Sequence, residues 1–173
     1  APEAQQQINQ TLESWPWSWT HGDVPAAAPP ALATRLRMEL ELLFEREPWP
    51  EALLALQSWG ALRLLDPALQ ADSRLVRRLI PAQRLHLPLL LALVAGADDP
   101  LELAARLQLP QQQQSWLHKM QELSAWRAVT AWEDAWAGWT GEEWCDALEQ
   151  QAWGAEAVAL LVSQNPPQRR PLL

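Results

Sequence analysis

The chain has 173 residues, with no Tyr, one Phe, six Gly and a single cysteine, Cys145, so an internal disulfide is excluded and strand-forming residues are scarce. No apolar run reaches the roughly 20 residues needed to span a bilayer; the longest, "LPLLLALVAGA", is about half that. The net charge of −8 is uneven: residues 1–73 hold ten acids and four bases, 74–127 four acids and seven bases, and 128–160 seven acids and no base, so the middle stretch is the part suited to phosphate.

Leu and Ala lose least on becoming helical, and the periodicities follow suit. "APEAQQQINQTLESW" predicts a short helix opened by Pro2, with Ile8 and Leu12 on one face. Its polar start has no signal-peptide pattern. The missing initiator Met suggests a processed or excised piece of a longer chain. "PWSWTHGDVPAAAPP" holds too many prolines for regular structure and reads as a loop within 15–30. "PALATRLRMELELLFERE" follows as a strong amphipathic helix: Leu32, Leu36, Leu40, Leu43 and Phe44 form one apolar stripe. Arg35 is placed to pair with Glu39, and Arg37 with Glu41.

Pro48 should end that helix and Pro50 start another, with Trp49, Leu53 and Leu56 as its buried edge. Gly60 is expected at C′ in the left-handed conformation. "ALRLL" then makes a short turn before Asp66 caps a helix with Pro67 at its first position, giving a helix-turn-helix corner. "DSRLVRRLI" predicts a helix stopped by Pro81, and "AQRLHLPLLLALVAG" a buried one with Pro88 as its kink. "DDPLELAARLQLP" carries a capping box, Asp99 with Glu102 around Pro100. A long helix or helix pair is expected over 111–139. A second box, Thr140 with Glu143, opens a helix closing on Gly154, and "AEAVALLVSQ" is the last helix.

No Asp-x-Asp pair, Gly-rich phosphate loop, His-x-x-x-His or Cys-x-x-Cys occurs. His21, His86 and His118 lie in different elements, which favours ordinary surface or core histidines over metal ligands. Cys145 has no nearby cation to lower its pKa and reads as an inert, partly buried thiol. Twelve tryptophans are unusual. Trp132, Trp136 and Trp139 fall on one helix face, with Trp126, Trp144 and Trp153 close by in sequence. Their acidic surroundings favour packing over stacking on bases. Arg74, Arg77 and Arg78 fall at i, i+3 and i+4, with Arg84 past the next turn. This is either a solvated polar face or a sequence-blind contact to a phosphate backbone.

The segment from residue 32 to 69 resembles the neck-to-body region of class II tRNA nucleotidyltransferases, the CCA-adding and poly(A) polymerase family. The likeness rests on Arg35, Glu39-Leu40, Leu42-Leu43, Ala52-Leu53, Gly60-Ala61-Leu62 and Pro67. The Gly-Ser, Asp-x-Asp and Glu-Asp-x-x-Arg motifs of that family's catalytic head are absent; "EDAWAG" at 133–138 begins like the last but lacks its Arg. "TGEEW" is close to a tail element of the family but is equally explained by capping.

The resemblance implies an all-α, multi-helix array: neck-like helices over 1–60, a helical body over 61–127, and a Trp-rich acidic partial tail over 128–173. It implies that the chain positions tRNA or another structured RNA, with Arg74, Arg77, Arg78 and Arg84 meeting phosphates. The chain alone is not expected to polymerise nucleotides. It needs no cofactor of its own; Mg and nucleoside triphosphate would bind the absent head. A cytoplasmic location and no membrane partner are expected. The competing reading is a stand-alone helical interaction module that binds a protein, or itself, through its Trp-rich final third.

Overall fold

The computed structural model describes residues 2–15, 31–129, 140–150 and 152–164. These are all-α, with no strand among them. The order is α1 (Pro2–Glu13), α2 (Leu32–Arg46), α3 (Trp49–Ser58), a 3-10 turn (Ala61–Leu64), α4 (Pro67–Ala71) and α5 (Leu75–Arg84). Then come α6 (Leu89–Val94), α7 (Pro100–Arg106), α8 (Gln111–Val129), α9 (Gly141–Gln150) and α10 (Ala155–Gln164). None of the described helices is long and apolar enough to cross a membrane.

α6 is the hub. Leu90 through Val94 are all buried, as an all-round apolar helix must be. It packs against α2, α5, α7 and α10, while α8 lies on α7 and α10. One contiguous core results, running from Trp15 and Leu40 through Leu79 and Leu91 to Leu117 and Leu160. The stretches expected as neck, body and tail all contribute to it.

The local signals in the sequence behave as their chemistry requires. The apolar stripe of α2 faces the core, with Leu40 buried and Leu32, Leu36, Leu43 and Phe44 packed against it. Arg37 lies 3.9 Å from Glu41 and also donates to the Gln108 carbonyl, while Thr34 donates to Gln108 Oε1 at 3.0 Å. Arg35 and Glu39 form no ion pair among the described residues.

Gly60 has φ +79, with open space where a Cβ would sit, so its requirement is one of backbone alone. Asp66 Oδ1 accepts from the Ala68 and Leu69 amides at 2.7 and 3.4 Å, and from the Asp98 amide at 3.4 Å, which ties the helix-turn-helix corner to the entry of α7. Trp15 Nε1 donates to the Leu64 carbonyl at 2.8 Å, anchoring the end of α1 on the 3-10 turn. Asp99 caps α7 by accepting from the Glu102 amide at 3.0 Å, while Glu102 itself pairs with Arg106.

At α9 the box closes fully: the Thr140 amide donates to Glu143 Oε2 at 2.7 Å, and the Glu143 amide to Thr140 Oγ1 at 3.3 Å. The Thr140 amide first, and its hydroxyl second, hold the Glu143 carboxyl below its ordinary pKa.

Three expected boundaries are corrected. Pro81 does not stop α5, which runs through it to Arg84; the carbonyl that loses its i+4 donor belongs to the exposed residue Arg77. Pro88 marks a break, not a kink. Pro disfavours helical backbone in the residue before it, and here α5 ends in a Schellman turn. The Leu87 amide donates to the Ala82 carbonyl at 3.0 Å, and the His86 amide to Gln83 at 3.1 Å. His86 takes the left-handed C′ slot with φ 56. The third boundary is at α9, which ends at Gln150, short of Gly154, with Ala152 at φ 53. The Pro-rich stretch 16–30 and residues 130–139 of the long 111–139 segment lie outside the described residues.

Candidate nucleic-acid interface

The approach to α5 is built by amides and carboxylates. Gln57 on α3 donates its Nε2 to the carbonyls of Leu69, Gln70 and Asp72 at 3.3, 3.1 and 2.9 Å. Gln70 returns a bond from its own Nε2 to the Gln57 carbonyl at 2.7 Å. The chain is thereby fixed at Asp72, whose Oδ1 accepts from the Arg74 amide at 2.8 Å. α5 starts one residue later.

Arg78 then departs from the sequence reading. It is 6% exposed, turned into the core where it was expected to meet phosphate. Its Nε donates to Asp72 Oδ2 at 2.7 Å, and Nη1 to the Ala92 carbonyl at 3.4 Å and to Gln164 Oε1. Gln164 Nε2 also donates to Ala92, at 3.2 Å. The reason is angular. Successive residues turn about 100° around a helix, and the buried arc of α5 contains Leu75, Leu79 and Ala82. Arg78 falls inside that arc, and the carboxylate of Asp72 makes its burial tolerable. Gly96 completes the pocket: a Cβ there would collide with the guanidinium.

Arg74, Arg77 and Arg84 are exposed. Arg77 and Arg84 are seven residues apart, two turns along the same edge and roughly 10 Å apart along the axis; Arg74 lies about 60° round from Arg77. None of the three forms an ion pair among the described residues. The four-arginine patch is therefore three solvent-facing guanidiniums and one internal strut.

Other candidates resolve less dramatically. His86 serves the backbone turn, His118 sits exposed beside Glu122 at 3.4 Å, and His21 is outside the described residues. Among the described residues no group of three or more His, Cys, Asp or Glu is placed to hold a metal ion. Cys145 is exposed, not partly buried as expected. Trp126 and Trp153 pack at 4.8 Å between ring centroids, tilted by 60°. Trp132, Trp136 and Trp139 are outside the described residues.

Comparison with known proteins finds no matching family model, no matching curated protein and no matching solved structure.

The sequence reading missed Asp72, Gln164 and Gly96 as partners of Arg78. Asp72 left a weak signal, an acid five and six residues ahead of the pair Arg77-Arg78. Gln164 lies 86 residues away in sequence and left none.

Proposed function

We propose that this chain is an RNA-positioning helical portion of a tRNA nucleotidyltransferase- or poly(A) polymerase-like protein. It would cradle a folded RNA while a head domain elsewhere adds nucleotides to the 3′ end. The observation that carries this reading is the exposed, unpaired basic edge of α5, Arg74, Arg77 and Arg84, in an otherwise acidic protein. Guanidiniums without carboxylate partners keep their full attraction for phosphate.

The residues behind the family resemblance have consistent structural roles. Leu40, Leu53 and Leu62 are core, Gly60 takes the left-handed turn and Pro67 opens α4. Arg78 is withdrawn from the contact set. Magnesium and nucleoside triphosphate would belong to the head.

Filter binding of folded tRNA at 50 and 200 mM salt tests the reading. The parent should bind at low salt and weaken steeply as salt rises. Each guanidinium that neutralises one phosphate adds about 0.9 to the slope of log affinity against log salt. Arg77→Glu should weaken binding about tenfold and flatten the slope by roughly one unit. A parent that ignores tRNA, or an Arg74→Glu/Arg77→Glu/Arg84→Glu variant that binds as well as the parent, overturns the proposal.

A further inference from the structure

On the side of the molecule formed by α9 and α10 lies an open groove of about 500 Å³, lined chiefly by Leu85, Trp153, Val158, Val162, Cys145 and Glu149. Its floor is unusual for a surface: Val162 is 50% exposed and Leu85 46% exposed. Ala155, Val158, Ala159 and Val162, all lining residues, fall at i, i+3, i+4 and i+7 along α10. They form a stripe roughly 10 Å long in which small residues alternate with branched ones. Such a stripe lets another helix approach closely and seat its larger side chains between the valines.

The wall is chemically opposite to the floor. α9 contributes Cys145 and Glu149 to the lining. Glu142, Asp146 and Glu149 recur at i, i+4 and i+7 on the same side of that helix. All three acids are exposed, and none forms an ion pair among the described residues. The stretch 128–160 supplies no base to offset them.

We infer that this groove receives an amphipathic basic helix from a partner protein, whose apolar face enters over α10 while its Lys or Arg side chains meet the carboxylates of α9. An apolar floor between two helices is the helix-in-groove mode of recognition. The unpaired acids select the sign of the partner and speed its approach. The same acids exclude RNA and anionic lipid, which they would repel. The site borders the end of α5, where Leu85 follows Arg84, yet it does not depend on the RNA reading.

The probe is a labelled 18-residue peptide of Leu and Lys with Leu at i, i+3 and i+4 spacing, alongside a Leu/Glu peptide of the same pattern. Anisotropy should show saturable binding of the Leu/Lys peptide only. Val162→Asp should weaken it at least tenfold, as should Glu142→Lys/Asp146→Lys/Glu149→Lys. These side chains are exposed, and unchanged melting curves confirm folding of each variant. Arg77→Glu should leave peptide binding unaltered. Cys145, the single cysteine, should react with maleimide at least fivefold more slowly when the peptide is bound.

Equal binding of the Leu/Glu peptide, indifference to both variants, or binding without protection of Cys145 overturns the inference. A groove filled by a second copy would instead give concentration-dependent mass in sedimentation, abolished by Val162→Asp. That result, or absent Leu/Lys binding because the groove is already covered by the chain itself, also overturns it.

Discussion

Arg78→Ala is the perturbation that bears most directly on how this fold is held together. The side chain is 8% exposed and its Asp72 partner 18%, so their attraction is only lightly screened by solvent. Breaking a buried pair by removing one partner costs about 3–5 kcal/mol. The lower end applies, because Asp72 retains the Arg74 amide and some access to water, and the Ala92 carbonyl retains Gln164. About 3 kcal/mol is expected, which for a chain of this size lowers Tm by roughly 6–12 °C. Urea unfolding followed by Trp fluorescence measures it.

Gly96 supplies the sharper half of the test. In the parent, Gly96→Ala drives a methyl group into the guanidinium, so the guanidinium must shift and part of its bonding is lost, at a cost on the order of 2 kcal/mol. In the Arg78→Ala background that methyl enters vacated space, and the second substitution should cost almost nothing. The coupling between the two positions is then on the order of 2 kcal/mol. A single-variant loss below about 1 kcal/mol, typical of exposed pairs, or the same Gly96→Ala penalty in both backgrounds, refutes the strut.

Asp66→Ala removes an acceptor shared by three amides and should cost about 2 kcal/mol, the upper range for a helix cap, while Asp66→Asn should cost clearly less; equal losses in urea melts would rule out the capping role. His86 occupies a left-handed position at φ 56, so His86→Gly should stabilise the protein by roughly 0.5–1 kcal/mol, and a lower unfolding midpoint would contradict the turn. The Glu143 carboxyl is held below its ordinary value of 4.5 by the amide and then the hydroxyl of Thr140. The box therefore contributes fully above about pH 4.5 and is lost as pH falls through the lowered folded pKa. Carbon-13 NMR should show Thr140→Ala moving the Glu143 midpoint upward, and an unmoved midpoint would remove the hydroxyl from the account. If the RNA reading holds, Arg78→Ala should weaken tRNA binding without flattening its salt dependence, whereas Arg77→Ala flattens the slope by about one unit. Flattening by Arg78→Ala would mean that its side chain reaches phosphate after all.

What could be read from the sequence was local. The α2 stripe, the Gly60 turn, the Asp66-Pro67 and Asp99-Pro100 starts and the Thr140-Glu143 box each involve residues within about one helical turn or a regular repeat of it. Their physics is complete within the window in which they are seen. Pro81 misled because the rule against Pro inside a helix is a cost and not a prohibition, and here the cost falls at an exposed residue, Arg77. Arg78 misled for a deeper reason. Spacing puts it between Arg74 and the apolar face of Leu75, Leu79 and Ala82, and its partners on α6 and α10 draw it to the core side.

The rotation of α5 about its own axis is set first by its apolar face, since the buried Leu75, Leu79 and Ala82 must meet the core. Hydrogen bonds from Arg78 to the Ala92 carbonyl on α6 and to Gln164 on α10, with Asp72 holding the guanidinium from the other side, then lock that rotation. Once Arg78 is bonded inward, Arg77, about 100° away around the axis, must point outward, and Arg84 two turns later must follow it. The face turned into the core, Arg78 included, thus determines which surface the other arginines make. The basic edge of α5 owes its orientation to that buried face and not to any contact made by the exposed arginines themselves.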